Sequence, residues 1–200
     1  MKNKPIRIVA FVGPSGTGKS TIVRRLLKKF SFMTLITSLT TRKPRDSDIK
    51  ITRRRIREYL YMSDDDFDKM ISLNAFEWFV GPHGNRYGTP KDLLDKAAFG
   101  HNEAILGKKF SIMIVTPLAA EKLFKLYPEI TLFFFVCPVA RAEIERRLVL
   151  RGDTKEAVER RVKDCEDWFK NSLESLVPYI YLKNDGPIEK TLAIVESYFI

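Results

Sequence analysis

The sequence predicts an α/β fold of three layers, a parallel sheet with helices on both faces. Three observations predict it. The β-branched run Ile6 to Val12 enters a glycine-rich loop that opens directly into an amphipathic stretch. Further short apolar runs, Phe110 to Val115 and Ile130 to Val136, lack polar alternation, as strands buried on both faces do. Stretches of helical periodicity separate them. The chain has 200 residues, 44% hydrophobic and 30% charged, which suits one domain of this kind.

The first loop carries the chemistry. Gly13-Pro14-Ser15-Gly16-Thr17-Gly18-Lys19-Ser20-Thr21 fits G-x-x-x-x-G-K-[ST], a phosphate-binding pattern. Its glycines let backbone N–H groups converge on phosphate oxygens. Lys19 can reach β- and γ-phosphates, and the Ser20 hydroxyl can ligate Mg²⁺. Ile22, Val23, Leu26, Leu27 and Phe30 then recur at helical spacing, so the loop leads into a helix N-terminus, where the dipole favours anions. A glycine-rich turn without a ligand is the alternative; the strand before it and the helix after it favour the phosphate site.

Charge and cysteine content narrow the classes. The net charge is +10, which implies anionic partners such as nucleotides, nucleic acid or acidic membranes. Nucleotide substrates alone account for it. Cys137 and Cys165 form no C-x-x-C pair or Cys/His cluster, so neither a zinc site nor a disulfide framework is expected. Free thiols in a reducing compartment are. No apolar stretch approaches membrane-spanning length, and the short first run does not read as a signal peptide.

The remaining elements follow in order. Met33 to Thr37 reads as a second strand. Ser38 to Asp46 reads as a basic loop in which Arg42 and Arg45, stiffened by Pro44, can clamp a phosphate. Asp64-Asp65-Asp66 opens a helix to about Leu73; the aspartates read as helix capping and dipole complementation, with a metal cluster as the minor alternative. A helix begins at Pro90, another at Pro117. Ala142 to Leu150 and Lys155 to Asn171 read as helices around Arg151-Gly152-Asp153. Tyr179 to Leu182 is the last strand and Ile188 to Phe199 the closing helix. His83 and His101 lack a nucleophile-and-base setting. Ile49 to Glu58 is strongly basic; it reads as a solvated loop or hairpin, with extra phosphate or nucleic-acid contact as the alternative.

The order of motifs resembles the guanylate kinase family. The family's loop followed by S-x-T-T-R-x-P-R is matched by Gly13 to Thr21 and Ser38 to Arg45. Tyr59 to Ser63, Phe76-Glu77-Trp78, Gly84 to Thr89, Arg147 to Gly152, Arg160-Arg161 and Asn184-Asp185 continue the resemblance across most of the chain.

The resemblance implies a phosphate-loop kinase of 1–200 as a single domain, with core segments 1–34, 94–141 and 166–200. An acceptor-binding region would cover 35–93 and a lid 142–165. It implies transfer of the ATP γ-phosphoryl group to GMP or dGMP, with Mg²⁺, in purine nucleotide metabolism. The loop from Gly13 to Thr21 and Asn184 would hold the donor, Asn184 near the adenine. Ser38, Arg42, Arg45, Tyr59, Glu77, Tyr87 and Thr89 would hold the acceptor, with Glu77 and Thr89 reading the base. Lys19, Arg147, Arg151 and Arg161 would act on the transferring group. For Arg147 the plain alternative is an i,i+4 pair with Glu143. A cytoplasmic monomer or homodimer is implied, with neither membrane nor nucleic acid as partner. A kinase with another or broader acceptor, and a non-catalytic module that binds phosphorylated protein, are the competing readings; the whole phosphate loop argues against the module. One departure stands out: the family's D-x-D strand end is replaced by Met113 and Val115. That predicts weaker guanine discrimination, since a thioether hardly accepts from guanine N–H groups.

Overall fold

A computed structural model of the chain describes residues 6–44, 57–81, 84–100 and 110–199. Arg45, residues 49–56 of the basic stretch, His83 and His101 lie outside them. The fold is mixed α/β with a parallel core sheet. Contacts divide the chain into two compact units. One comprises Met1–Val9, Ser31–Met113 and Lys122–Thr131; the other comprises Ala10–Phe30, Ile114–Glu121 and Leu132–Ile200.

The elements in chain order are β1 (Ile8–Val12), α1 (Lys19–Lys29), β2 (Met33–Leu35), β3 (Ser38–Thr40) and β4 (Tyr59–Tyr61). Next come α2 (Asp64–Ser72), β5 (Phe76–Val80), β6 (Tyr87–Pro90), α3 (Lys91–Phe99), β7 (Phe110–Ile114) and α4 (Pro117–Leu126). The chain closes with β8 (Thr131–Val136), α5 (Arg141–Leu150), α6 (Lys155–Glu174), β9 (Tyr179–Leu182) and α7 (Ile188–Glu196). The five-stranded sheet has the order β2-β7-β1-β8-β9, and its β2–β7 and β8–β9 pairs are parallel.

The five expected strands form, and β3, β4, β5 and β6 are additions. The second run ends at Leu35, and Ser38–Thr40, read as the start of a basic loop, is a strand. It is completed from outside: β4 pairs with it in parallel and β6 antiparallel, in a four-stranded sheet ordered β4-β3-β6-β5. The helix α6 runs past Asn171 to Glu174, and α7 stops at Glu196 rather than Phe199.

In the first unit α2 packs Phe67 against Leu39 and Phe76, with Met62, Met70 and Ile71 around them. The cap of α2 is Ser63, not an aspartate. Its hydroxyl accepts from the Asp66 N–H at 3.1 Å and donates to the Asp66 carboxylate at 2.7 Å. The three aspartates lie in the first turn, where they complement the helix dipole. Among the described residues no group of three or more His, Cys, Asp or Glu could hold a metal ion.

In the second unit Phe134 stacks on Phe11 with ring centroids 5.3 Å apart. Each of Phe133, Phe134 and Phe135 is buried, worth roughly 1.5–3 kcal/mol apiece relative to exposure. Ile144 and Leu148 of α5 meet Val158, Val162 and Cys165 of α6.

Candidate active site

The phosphate loop lies in the second unit. Gly13, Gly16 and Gly18 all have positive φ, at 133°, 85° and 100°. A Cβ on Gly13 would stand 2.5 Å from the Val136 carbonyl oxygen, so this position admits glycine alone. Gly18 is the N-cap of α1 and no side chain caps the helix, whose N-terminus favours an anion. The Lys19 ammonium donates to the carbonyls of Gly13 and Pro14, both at 2.6 Å, which holds it across the loop. The buried Thr17 hydroxyl donates to the Pro14 carbonyl at 3.0 Å. Ser20 stands in the first turn of α1.

Asn184 supports this loop from below. It is buried, and its amide donates to the Thr17 carbonyl at 2.8 Å. Its carbonyl oxygen is 3.2 Å from the Thr191 hydroxyl, which also donates to the Lys183 carbonyl at 3.1 Å. Gly18 presses on the Asn184 amide so closely that a Cβ there would collide with it. Asn184 thus meets the backbone of the glycine-rich loop.

Arg147 forms the i,i+4 pair with Glu143 and also reaches the glycine-rich loop. Its Nε donates to Glu143 at 2.7 Å, one helical turn away, and its Nη1 donates to the Gly16 carbonyl at 3.1 Å. Glu143 is shared with Arg146, and these hydrogen bonds, from Arg146 first and Arg147 next, lower its pKa to about 2. Arg151 and Arg161 converge on one carboxylate oxygen, Oδ2 of Asp153. Arg160 is exposed on α6. Cys137 and Cys165 are free and buried, and burial raises both thiol pKa values, Cys165 to about 11.

The acceptor candidates lie in the first unit, gathered by the register of β3. Ser38 faces Tyr59 on β4, and Thr40 faces Tyr61 on β4 and Tyr87 on β6. The rings of Tyr59 and Tyr87 meet edge to face at 5.6 Å. Arg42, just past β3, is buried, with its guanidinium 5.4 Å from the ring centroids of both Tyr59 and Tyr61. Glu77 occupies a bulge: Phe76 pairs with Pro90 and Trp78 with Thr89, which leaves Glu77 as the extra residue. Bulges re-aim a side chain and recur beside active sites. Thr89 is buried, and Trp78 packs in the core. Met113 is 0% exposed and Val115 is buried, so the departure from the D-x-D pattern lies inside the apolar core.

A family model described as guanylate kinase matches residues 5–200. The chain belongs to the guanylate kinase family. It is 32% identical over 195 residues to a guanylate kinase of Clostridium acetobutylicum, covering 96% of this chain and 84% of that one. A guanylate kinase of Prochlorococcus marinus is 33% identical over 164 residues, covering 81% of each chain. Among solved structures, a guanylate kinase from Anaplasma phagocytophilum superposes with a TM-score of 0.63 over 100% of this chain and 86% of that one; at 20% identity this bears on the fold alone.

Four residues at these guanylate kinase-like sites were not anticipated. Tyr61 accepts from Arg42 Nη2 at 3.2 Å. Asp153 joins two arginines. Thr191 completes the Asn184 network. Arg86 ties the start of β6 to β3: its backbone N–H donates to the Thr41 hydroxyl at 3.1 Å, and its carbonyl accepts from the Thr40 hydroxyl at 2.8 Å. Its guanidinium lies 4.7 Å from the Phe67 ring centroid and pairs with Asp64 and Asp68. Asp153 lies two residues from Arg151 and Thr191 seven from Asn184, whereas Tyr61 and Arg86 find their partners in distant sequence.

Proposed function

We propose that this chain transfers the γ-phosphoryl group of ATP to GMP or dGMP, giving ADP and GDP or dGDP. The observation that carries the reading is the loop itself: positive-φ glycines, an uncapped helix N-terminus and Lys19 held across them. Family membership supplies the reaction class.

In this reading residues 13–21 hold the donor phosphates, and Lys19 with Arg147, Arg151 and Arg161 stabilises the transferring group. Asn184 fixes the loop's shape and lies near the adenine. Ser38, Arg42, Arg45, Tyr59 and Tyr87 hold the acceptor phosphate, while Glu77 and Thr89 read the base. Catalysis is positioning and charge neutralisation, and the acceptor oxygen is already anionic, so no general base is required. Mg²⁺ would rest on the Ser20 hydroxyl, the phosphates and water, a set of hard oxygen ligands it accepts. Bound there, it would neutralise phosphate charge. Residues 35–93 serve as the acceptor region and 142–165 as the lid. No helix among the described residues is long and apolar enough to cross a membrane. ATP and GMP as substrates favour a cytoplasmic protein, as a monomer or homodimer.

Coupled ADP-release assays with GMP, dGMP, AMP and IMP test the reading. Fast release with GMP is expected. Release no faster with any of these acceptors than without one would overturn it.

A further inference from the structure

Asp153 follows α5 and precedes the Thr154 cap of α6, at the junction of the two helices. Its side chain is 7% exposed. Arg151 donates to Oδ2 through Nε, at 3.0 Å, and through Nη2; Arg161 donates to the same oxygen through Nη1 at 3.4 Å. Two guanidiniums from opposite sides of the junction therefore share one carboxylate oxygen. Two cations this close repel each other unless an anion lies between them. Each guanidinium has five N–H donors, and the pair spends three on Oδ2. The carboxylate thus draws both cations to one point.

We propose that Asp153 is a positioning residue that holds Arg151 and Arg161 together as one bidentate cation site for the donor triphosphate. The proposal rests on the reading above, in which those arginines act on the transferring group. The carboxylate sets the spacing of the two charges before the nucleotide arrives, so the arrangement need not be assembled during the reaction. Preorganised charge of this kind acts mainly on kcat. Asp153 acts through the arginines and does not itself touch phosphate.

The test compares Asp153→Asn and Asp153→Glu, alone and on an Arg151→Ala/Arg161→Ala background. Asp153→Asn keeps the size and removes the charge; it is expected to lower kcat about 10- to 100-fold, with the KM for GMP within about twofold of the parent and Tm little changed. Asp153→Glu keeps the charge and is expected to recover most of kcat. On the double-arginine background Asp153→Asn should change kcat less than about twofold, because nothing is left to position. If Asp153→Asn lowers kcat equally on both backgrounds, its part is structural and the proposal fails. If Asp153→Asn is silent while the arginine variants lose activity, the proposal fails and the reading of the arginines stands. If the double-arginine variant keeps its kcat, that reading fails, and this proposal with it.

Discussion

Tyr61 receives a hydrogen bond from Arg42 at 3.2 Å and presents its ring to the same guanidinium. The cation is thus oriented by a phenol and an aromatic face at once. Tyr61→Phe keeps the ring and removes the acceptor. A hydrogen bond of this type is worth about 1 kcal/mol, so the KM for GMP should rise about fivefold while the KM for ATP holds. An unchanged KM for GMP would remove Arg42 from the acceptor site or Tyr61 from its support.

Lys19→Ala should abolish turnover in a folded protein. A cation at the transferring phosphate is worth several kcal/mol in the transition state. Steady-state kinetics beside a thermal melt decide it; near-normal kcat would refute the kinase assignment.

Asn184→Ala leaves the Thr17 carbonyl and the Thr191 hydroxyl without the partner each now has in Asn184. The expected loss is about 1–3 kcal/mol of stability together with weaker ATP binding, since the loop's shape depends on that bond. Calorimetric unfolding and an ATP titration read the two effects separately. An ATP affinity that survives the substitution would detach the loop from this support.

Glu143 contributes to stability through its depressed pKa. A carboxylate whose folded pKa lies below its unfolded value stabilises above the unfolded pKa and loses that contribution as pH falls through the folded one. The window runs from the ordinary 4.5 down to about 2. The stability difference between the native chain and Glu143→Gln should be constant from pH 7 to 5 and vanish towards pH 2. A difference that does not change across that window would show that the arginine bonds do not persist in solution.

Met113→Asp puts a carboxylate where the native side chain is wholly enclosed. Burial raises the pKa of an acid, so the variant is most stable at low pH and loses stability as pH rises through the raised folded value. At neutral pH the loss should be roughly 3 kcal/mol or more. The substitution should therefore lower Tm, with the fall shrinking at acidic pH, before it can sharpen the choice of GMP over IMP. A variant as stable as the parent at neutral pH would place this position beside solvent or a partner charge.

The local features of this chain were legible in its sequence, and the non-local ones were not. The loop from Gly13 to Thr21 announces itself because residue type and backbone geometry coincide there. The buried strands β7 and β8 show as unbroken apolar runs. β3 does not, because Ser38, Leu39 and Thr40 acquire strand geometry only from Tyr59–Tyr61 and Tyr87–Gly88, which pair with them. Asn184 could be singled out by motif, but its bond to Thr17 spans 167 residues of sequence. The pairing of Arg151 with Asp153 was in reach, two residues apart; that Arg161 joins them depends on how α5 turns into α6.

Gly13 faces the carbonyl of Val136, at the end of a strand whose three phenylalanines are all enclosed. Such strands release their amides to solvent exchange only when the whole protein unfolds. The Cys137 N–H, bonded to the Leu182 carbonyl at 2.9 Å, continues that protection past the strand's end. In deuterium the amides from Phe133 to Cys137 should be among the last to exchange. The loop proposed to hold the donor phosphates is thus seated against a strand expected to be among the last parts of the chain to open.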